Sequence, residues 1–245
     1  MAADPRALSF GAIAGGYAAA RPSYPAALVA WLAPGQVVAD VGAGTGKLTS
    51  VLLAAGREVI AIEPDPQMLD ELRAAYPEVA GHVAPAEELP LVDGSVDAVV
   101  YAQSWHWVDE GAAGHEAGRV VRPGGTAGAI WNVPDASAAD WVAELTALRG
   151  PSAGQARGLH GPDPAFGDAF GPCERREERW DRPTDVDAVV ALIGTRSDMV
   201  LAATDERERA LGEVRRIATA AAAADPSGRL VMPYLAIGYR ATRLS

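Results

Sequence analysis

Ten residues, Val37-Val38-Ala39-Asp40-Val41-Gly42-Ala43-Gly44-Thr45-Gly46, constrain this chain more than any others. A short apolar run without alternation suits a strand covered on both faces, the situation inside a parallel sheet. Glycine at every second position then follows. Lacking a Cβ, glycine admits positive φ and lets a ligand approach the main chain. Such a turn at the carboxyl end of a strand is where open α/β sheets bind ligands. The spacing also excludes two nucleotide sites. A dinucleotide fingerprint, G-x-G-x-x-G, would need glycine where Lys47 stands, and a phosphate-binding G-K-[ST] loop fails because Leu48 follows Gly46-Lys47.

The residues that follow repeat the strand-then-helix pattern of a parallel sheet with crossover helices. Strands are predicted at 37–41, 58–63, 81–84, 96–102 and 126–131. Helices are predicted at 47–55, 66–76 and 110–121, the last ended by Pro123-Gly124-Gly125. Outside this block, 24–32, 185–194 and 206–224 read as helices, 150–171 as a loop or insertion, and 230–240 as a late strand. Pro233 implies an edge or bulge position for that strand. No internal repeat is apparent.

Composition narrows the function. With 21 Lys+Arg against 32 Asp+Glu the chain carries a net charge of −11, which argues against nucleic acid as a partner. The densest basic stretch, 175–182, is interleaved with Glu174, Glu177, Glu178 and Asp181 and reads as a solvated mixed-charge face. Lys47 is the one lysine, a bias read as coding composition. A single cysteine, Cys173, allows no internal disulfide and no zinc ribbon, and implies a reducing compartment. No apolar run approaches the ~18 residues of a membrane span, and the first ten residues lack the pattern of a secretory signal. The expectation is a cytoplasmic protein that binds a small molecule, with no nucleic-acid partner, no membrane partner and no metal set. The oligomeric state stays open.

Two acids sharpen the ligand. Asp40, directly before the glycines, would face a cationic or hydroxyl-bearing group rather than a pyrophosphate. Glu63 ends the second predicted strand, where a carboxylate can accept hydrogen bonds from both hydroxyls of a ribose. Taken in order with Ile62-Glu63-Pro64-Asp65, Ala86-Glu87-Glu88-Leu89-Pro90, Asp93-Gly94-Ser95-Val96-Asp97 and Arg119-Val120-Val121-Arg122-Pro123-Gly124-Gly125, the glycine run resembles the class I S-adenosylmethionine-dependent methyltransferases over residues 37–132. The resemblance implies an α/β, Rossmann-like three-layer sandwich. Its sheet would be mostly parallel and seven-stranded, the last strand antiparallel, with a helical cap added. One methyltransferase domain would span 1–245, with a core at about 35–135 and 225–245 and a cap from 1–34 and about 136–224.

By the same resemblance S-adenosylmethionine is the cofactor. Gly42, Gly44 and Gly46 would surround its methionine portion, with Asp40 near the amino group, directly or through water. Glu63 would hold the ribose, Pro64 and Met68 would border the adenine, and Ala86 and Glu87 would meet its amino edge. Gln103 joins this cofactor set. The bland alternatives are a cap role for Asp40 and a surface acid at Glu63.

The loop 101–109 after the fourth strand would face the sulfonium side. His106 is the histidine best placed there as a general base for a hydroxyl acceptor, or else a ring packed between Trp105 and Trp107. Trp105 and Trp107 would line an acceptor pocket or the core, and Asn132 would hydrogen-bond the acceptor or make a turn. Tyr17 and Arg21-Pro22-Ser23-Tyr24-Pro25 resemble the entry segment of small-molecule methyltransferases similar to the trans-aconitate group. That implies that Tyr17 and Arg21 contact the methionine carboxylate or an anionic acceptor, and that Tyr234 reaches the pocket. The implied reaction is methyl transfer to a small molecule at oxygen. The alternatives are a non-catalytic S-adenosylmethionine-binding protein of this fold and an NAD-dependent oxidoreductase, the latter disfavoured by Lys47.

Overall fold

In a computed structural model, described here for residues 20–150, 152–225 and 229–245, seven strands form one sheet in the order β3-β2-β1-β4-β5-β7-β6. The strands are β1 (Val37–Val41), β2 (Glu58–Glu63), β3 (Ala80–Val83), β4 (Val96–Ala102), β5 (Val121–Pro134), β6 (Glu174–Thr184) and β7 (Leu230–Thr242). β1 to β5 pair in parallel. β7 runs antiparallel to both of its neighbours, β5 and β6. The described helices are α1 (Ala26–Leu32), α2 (Lys47–Ala54), α3 (Pro66–Ala75), α4 (Glu110–Val120), α5 (Asp140–Arg149), α6 (Ala153–His160), α7 (Val186–Gly194), α8 (Ser197–Val200) and α9 (Thr204–Ala224).

Two apolar layers sandwich the sheet. On one face Leu28, Leu32, Leu48, Leu52, Leu69 and Leu72 of α1 to α3 pack on alternate residues of the strands. On the other, Ala113, Ala117 and Val120 of α4 join Trp105, Phe166 and Phe170. β4 is buried along nearly its whole length, which is why its sequence is apolar but for Asp97. Local chemistry starts the helices. Asp65, Asp109 and Asp185 each accept a backbone N–H two or three residues on, from Gln67, Ala112 and Ala188, and Pro66 occupies the first turn of α3.

Several expectations change in the details. Residues 174–184, read from sequence as a solvated mixed-charge face, form edge strand β6. Both its faces are largely solvated, so no hydrophobic alternation marks it, and its alternating charges suit an edge that must not pair with another chain. It lies within the segment 136–224 expected as helical cap. Residues 150–171 contain α6. The helix expected to run to 121 ends at Val120, and Pro123-Gly124-Gly125 lies within β5. β7 is an interior strand, not an edge. Pro233 fits because it lies one residue past the last β5 pairing, Pro134 with Tyr234, so the missing N–H faces the place where β5 leaves the sheet.

A third apolar cluster joins Leu145 of α5, Val189 and Leu192 of α7, and Val214 and Ala218 of α9 to Leu230, Met232 and Tyr234 at the start of β7. It sets the cap over the carboxyl ends of β1, β4 and β5. No described helix is long and apolar enough to cross a membrane.

Asp97 anchors the opposite end of the sheet. Its Oδ2 accepts the backbone N–H of Gln36 and of Val37 (3.0 Å), and its Oδ1 pairs with Arg122 at 2.6 Å. Burial alone would raise its pKa, but these partners outweigh burial and hold it below the usual value. Asp97→Ala is expected to cost about 2 kcal/mol in urea denaturation at pH 7, the penalty of stranding buried donors. Because the folded-state pKa is lowered, the gap to wild type narrows as pH falls below the ordinary aspartate range.

Candidate active site

The glycine turn is pinned to the end of β2. Both Gly42 N–H (2.8 Å) and Ala43 N–H (3.1 Å) donate to the Ile62 carbonyl, and Gly44 N–H donates to Glu63 Oε2 at 2.8 Å. Gly42 and Gly44 have φ of +71° and +56°, and a Cβ at Gly42 would lie 2.5 Å from Ser104 Cβ. Only glycine gives this turn both its handedness and its contact with the β4 loop. Glu63 Oε1 also accepts from Asp65 N–H at 3.0 Å. At 6% exposure, burial drives the Glu63 carboxyl up to about 7 despite these two bonds. Asp40, fully buried, accepts from Thr49 Oγ1 at 2.7 Å and is raised by burial to about 6.

These groups suit the cofactor implied by the sequence. A carboxylate has about four acceptor positions. Glu63 uses two, leaving room for a pair of vicinal hydroxyls. Asp40 Oδ1 and Thr45 Oγ1 are buried with no hydrogen-bond partner among the described residues, two polar atoms that a bound amino-acid portion can satisfy. Around Gly44 the nearest atom a Cβ would meet is Met68 Cε at 3.5 Å, so the backbone lies open to a ligand.

Beside the turn lies a cavity of about 90 Å³. Gly42 to Thr45, Lys47 and Leu48 form one wall, and Ala102 and Gln103 at the end of β4 the floor. Asn132 and Pro134 of β5, Met232 and Tyr234 of β7, Leu192, Ile193 and Arg196 around the end of α7, Ser152, and Arg21, Pro22 and Tyr24 complete it. Asn132 ties three elements together: its Nδ2 donates to Ser23 O (2.7 Å), its Oδ1 accepts from Trp180 Nε1 (3.2 Å), and its carbonyl accepts from Gln103 Nε2 (3.0 Å). Gln103 is the one described non-glycine residue at positive φ, +56°, a strained backbone of the kind stored at functional turns.

The sequence candidates therefore separate. Gly42, Gly44, Gln103, Arg21, Asn132 and Tyr234 meet at the cavity. Asp40, Glu63 and Met68 lie near the turn and outside the cavity lining. Gly46 caps α2 at φ +88° outside the lining. Pro64 is half-buried and Ala86 buried, and Glu87 Oε1 accepts from Asp109 N–H at 2.8 Å. Trp105 is wholly buried, edge-on to Tyr101 at 4.7 Å and tilted against Phe166 at 4.9 Å. His106 lies outside the lining. Its Nδ1 accepts a long bond from Trp131 Nε1 (3.5 Å), Trp107 lies at 4.7 Å, and a Cβ on Gly154 would come within 2.7 Å of its ring. Burial and Arg157 lower its pKa to about 4. Tyr17 lies outside the described residues. Lys47, Arg196 and Met232 were not singled out as site residues by sequence, and among the described residues no cluster of His, Cys, Asp and Glu could hold a metal.

Comparisons with known proteins identify the family. The family profile described as a methyltransferase domain matches residues 39–128. A protein named only as an uncharacterized methyltransferase from Mycobacterium tuberculosis (strain ATCC 25618 / H37Rv) is 40% identical over 238 residues, covering 96% of each chain, and so is one from Mycobacterium bovis. Among solved structures, a candidate type II methyltransferase from Anaeromyxobacter dehalogenans is 28% identical with a TM-score of 0.61, over 91% of this chain and 97% of that one. A candidate methyltransferase of an antibiotic biosynthesis pathway in Anabaena variabilis shares the fold at 22% identity, TM-score 0.53, over 87% and 95%.

The raised pKa of Glu63 contributes to the pH response of the ligand-free protein. A carboxyl whose pKa is higher folded than unfolded stabilises most below the unfolded value of 4.5, and that contribution is lost as pH rises through about 7. Glu63→Gln keeps an acceptor for Gly44 N–H but cannot titrate. Its denaturation midpoint is expected to change less than that of wild type between pH 4.5 and 8.

Proposed function

The chain belongs to the class I S-adenosylmethionine-dependent methyltransferases, and from that premise we propose that it methylates an oxygen of a small-molecule acceptor held in the cavity beside Gly44. When bound, S-adenosylmethionine supplies an electrophilic methyl group on a positively charged sulfur. The protein's task is then alignment and exclusion of water. Gly42 to Thr45 and Glu63 hold the cofactor. Gln103, Asn132 and Tyr234, drawn from β4, β5 and β7, shape the acceptor's side, and the α7 end closes it.

The observation that carries this reading is the chemistry of the cavity wall. Among its described lining residues are no His, Asp or Glu side chains. An acceptor oxygen that is already ionised, such as a carboxylate, needs no base and fits that wall. An alcohol would need one. Within this reading His106 is a positioning residue that fixes the 3₁₀ turn Trp105–Trp107 against Trp131. With a pKa pulled to about 4 it is neutral at physiological pH and a weak proton acceptor.

S-adenosylhomocysteine is expected to bind and raise the melting temperature. Gly44→Asp should abolish that shift, because it adds strain at positive φ and a second carboxylate beside Glu63. Calorimetry should show Glu63→Ala weakening binding by about 2 kcal/mol, roughly 30-fold. A screen of metabolite extracts with methyl-tritiated cofactor tests the acceptor. Label should enter a small molecule and leave it as methanol on mild alkali, the behaviour of a methyl ester, whereas label stable to alkali would overturn the carboxylate reading. His106→Ala should change turnover by a similar factor at every pH. A loss confined to one limb of the pH profile would make it a base.

A further inference from the structure

Two cations without carboxylate partners among the described residues stand in or beside the cavity. Lys47, the first residue of α2, lines the cavity. Arg182 of β6 is not itself in the lining, but it pairs across the sheet with Met232, which is, and its charge acts on both Lys47 and Tyr234. Arg182 donates to the carbonyl of Ala20 at 2.7 Å, but among the described residues neither it nor Lys47 forms an ion pair. Arg196, which also lines the cavity, differs, since Asp198 matches its charge at 2.9 Å. No carboxylate side chain appears among the described lining residues, although the whole chain carries −11.

This arrangement is unfavourable without a ligand. Burial, and then the charge of Arg182, pull the Lys47 ammonium below its usual pKa. Like charges partly removed from water repel with little screening, and an anion between them relieves both costs. The lone lysine, read from the sequence as coding composition, takes on a second reading from its place in the cavity lining. Of the 21 basic residues every one but Lys47 is arginine. The chain thus uses a compact ammonium at this one position, where a flexible point charge beside a guanidinium can close on an oxyanion.

We propose that the methyl acceptor is an anion, with a carboxylate or phosphate group received between Lys47 and Arg182 while the reacting oxygen lies toward the glycine turn. This inference rests on the methyltransferase reading above and deepens it by naming the acceptor's charge. The pair binds and orients the acceptor and takes no proton from it.

The lone lysine makes the test direct. Reductive dimethylation with a ¹³C label gives the full-length chain one lysine resonance besides its α-amine. With and without saturating S-adenosylhomocysteine, the labelled protein is titrated with succinate and, separately, with inorganic phosphate, against chloride at matched ionic strength. The Lys47 resonance is expected to shift saturably, and the tighter of the two anions identifies the charged group. Arg182→Met should weaken anion binding about tenfold, as loss of one of two charged partners does, while leaving S-adenosylhomocysteine affinity unchanged. Should that variant fold poorly, unlabelled Lys47→Met, read by anion-dependent melting, makes the same test. Two results would overturn the inference. One is an anion effect no larger than that of chloride. The other is a full Lys47 shift with S-adenosylhomocysteine, none with 5′-methylthioadenosine, which lacks the amino-acid carboxylate, and none added by either anion. Failure of S-adenosylhomocysteine to bind at all would instead strike the methyltransferase reading, and the anion titrations without it would still decide the role of Lys47.

Discussion

The hydrogen bond from Gly44 N–H to Glu63 is the interaction on which the site depends. It joins the turn after β1 to the end of β2, so the ligand-facing backbone and the carboxylate beside it are set by one contact. The Ile62 carbonyl, accepting two further amides, fixes the same turn from the strand side. The contact is bought with buried charge: Glu63 and Asp40 both sit where water cannot solvate them, and both pKa values rise for that reason. A site held this way is formed before a ligand arrives and is partly unsatisfied until it does. Such local cost within an otherwise consistent fold is typical of functional positions.

The second half of the site comes from the far end of the chain. β7 inserts antiparallel beside β5 and brings Met232 and Tyr234 to the cavity, and β6 follows as the edge, carrying Trp180 and Arg182. Trp180 stacks on Tyr234 at 5.1 Å and bonds Asn132, which in turn holds Ser23. One asparagine at the end of β5 therefore couples the segment before α1, the core sheet and the edge strand. In the proposed function, acceptor specificity is built where these three meet, while cofactor binding is built almost wholly from β1, β2 and their turns. The two tasks use different stretches of chain, so the acceptor can differ among relatives that keep the cofactor turn.

Much of the fold is legible in the amino-acid sequence alone. Residues 37–131 show their strands as apolar runs and their helices as 3.6-residue patterns with acidic caps, and both signals arise from burial on regular surfaces. The alternation of the two implies the parallel sheet. β6 is not legible, because a strand solvated on both faces has no apolar period, and its Arg and Glu residues look the same in an exposed loop. α6 lies in a stretch interrupted by Gly and Pro that shows no clear period, and its packing on β5 decides it. Trp105 and Trp107 are adjacent in kind and nearly so in sequence, yet Trp105 is wholly buried and Trp107 only partly, a distinction set by the path of one 3₁₀ turn.

By itself the sequence determined the glycine turn, its acid partners and hence the cofactor, since these depend on backbone freedom and on residues placed at the ends of neighbouring strands. Tertiary structure alone decided what surrounds the cavity beside that turn. Lys47 stands out in the sequence only as a failed third glycine and an oddity of composition. The charge that acts on it comes from Arg182, 135 positions later, on a strand that leaves no periodic trace. Electrostatics acts through distance in space, and for residues so far apart along the chain the packing of β7 against β5 and β6 sets that distance.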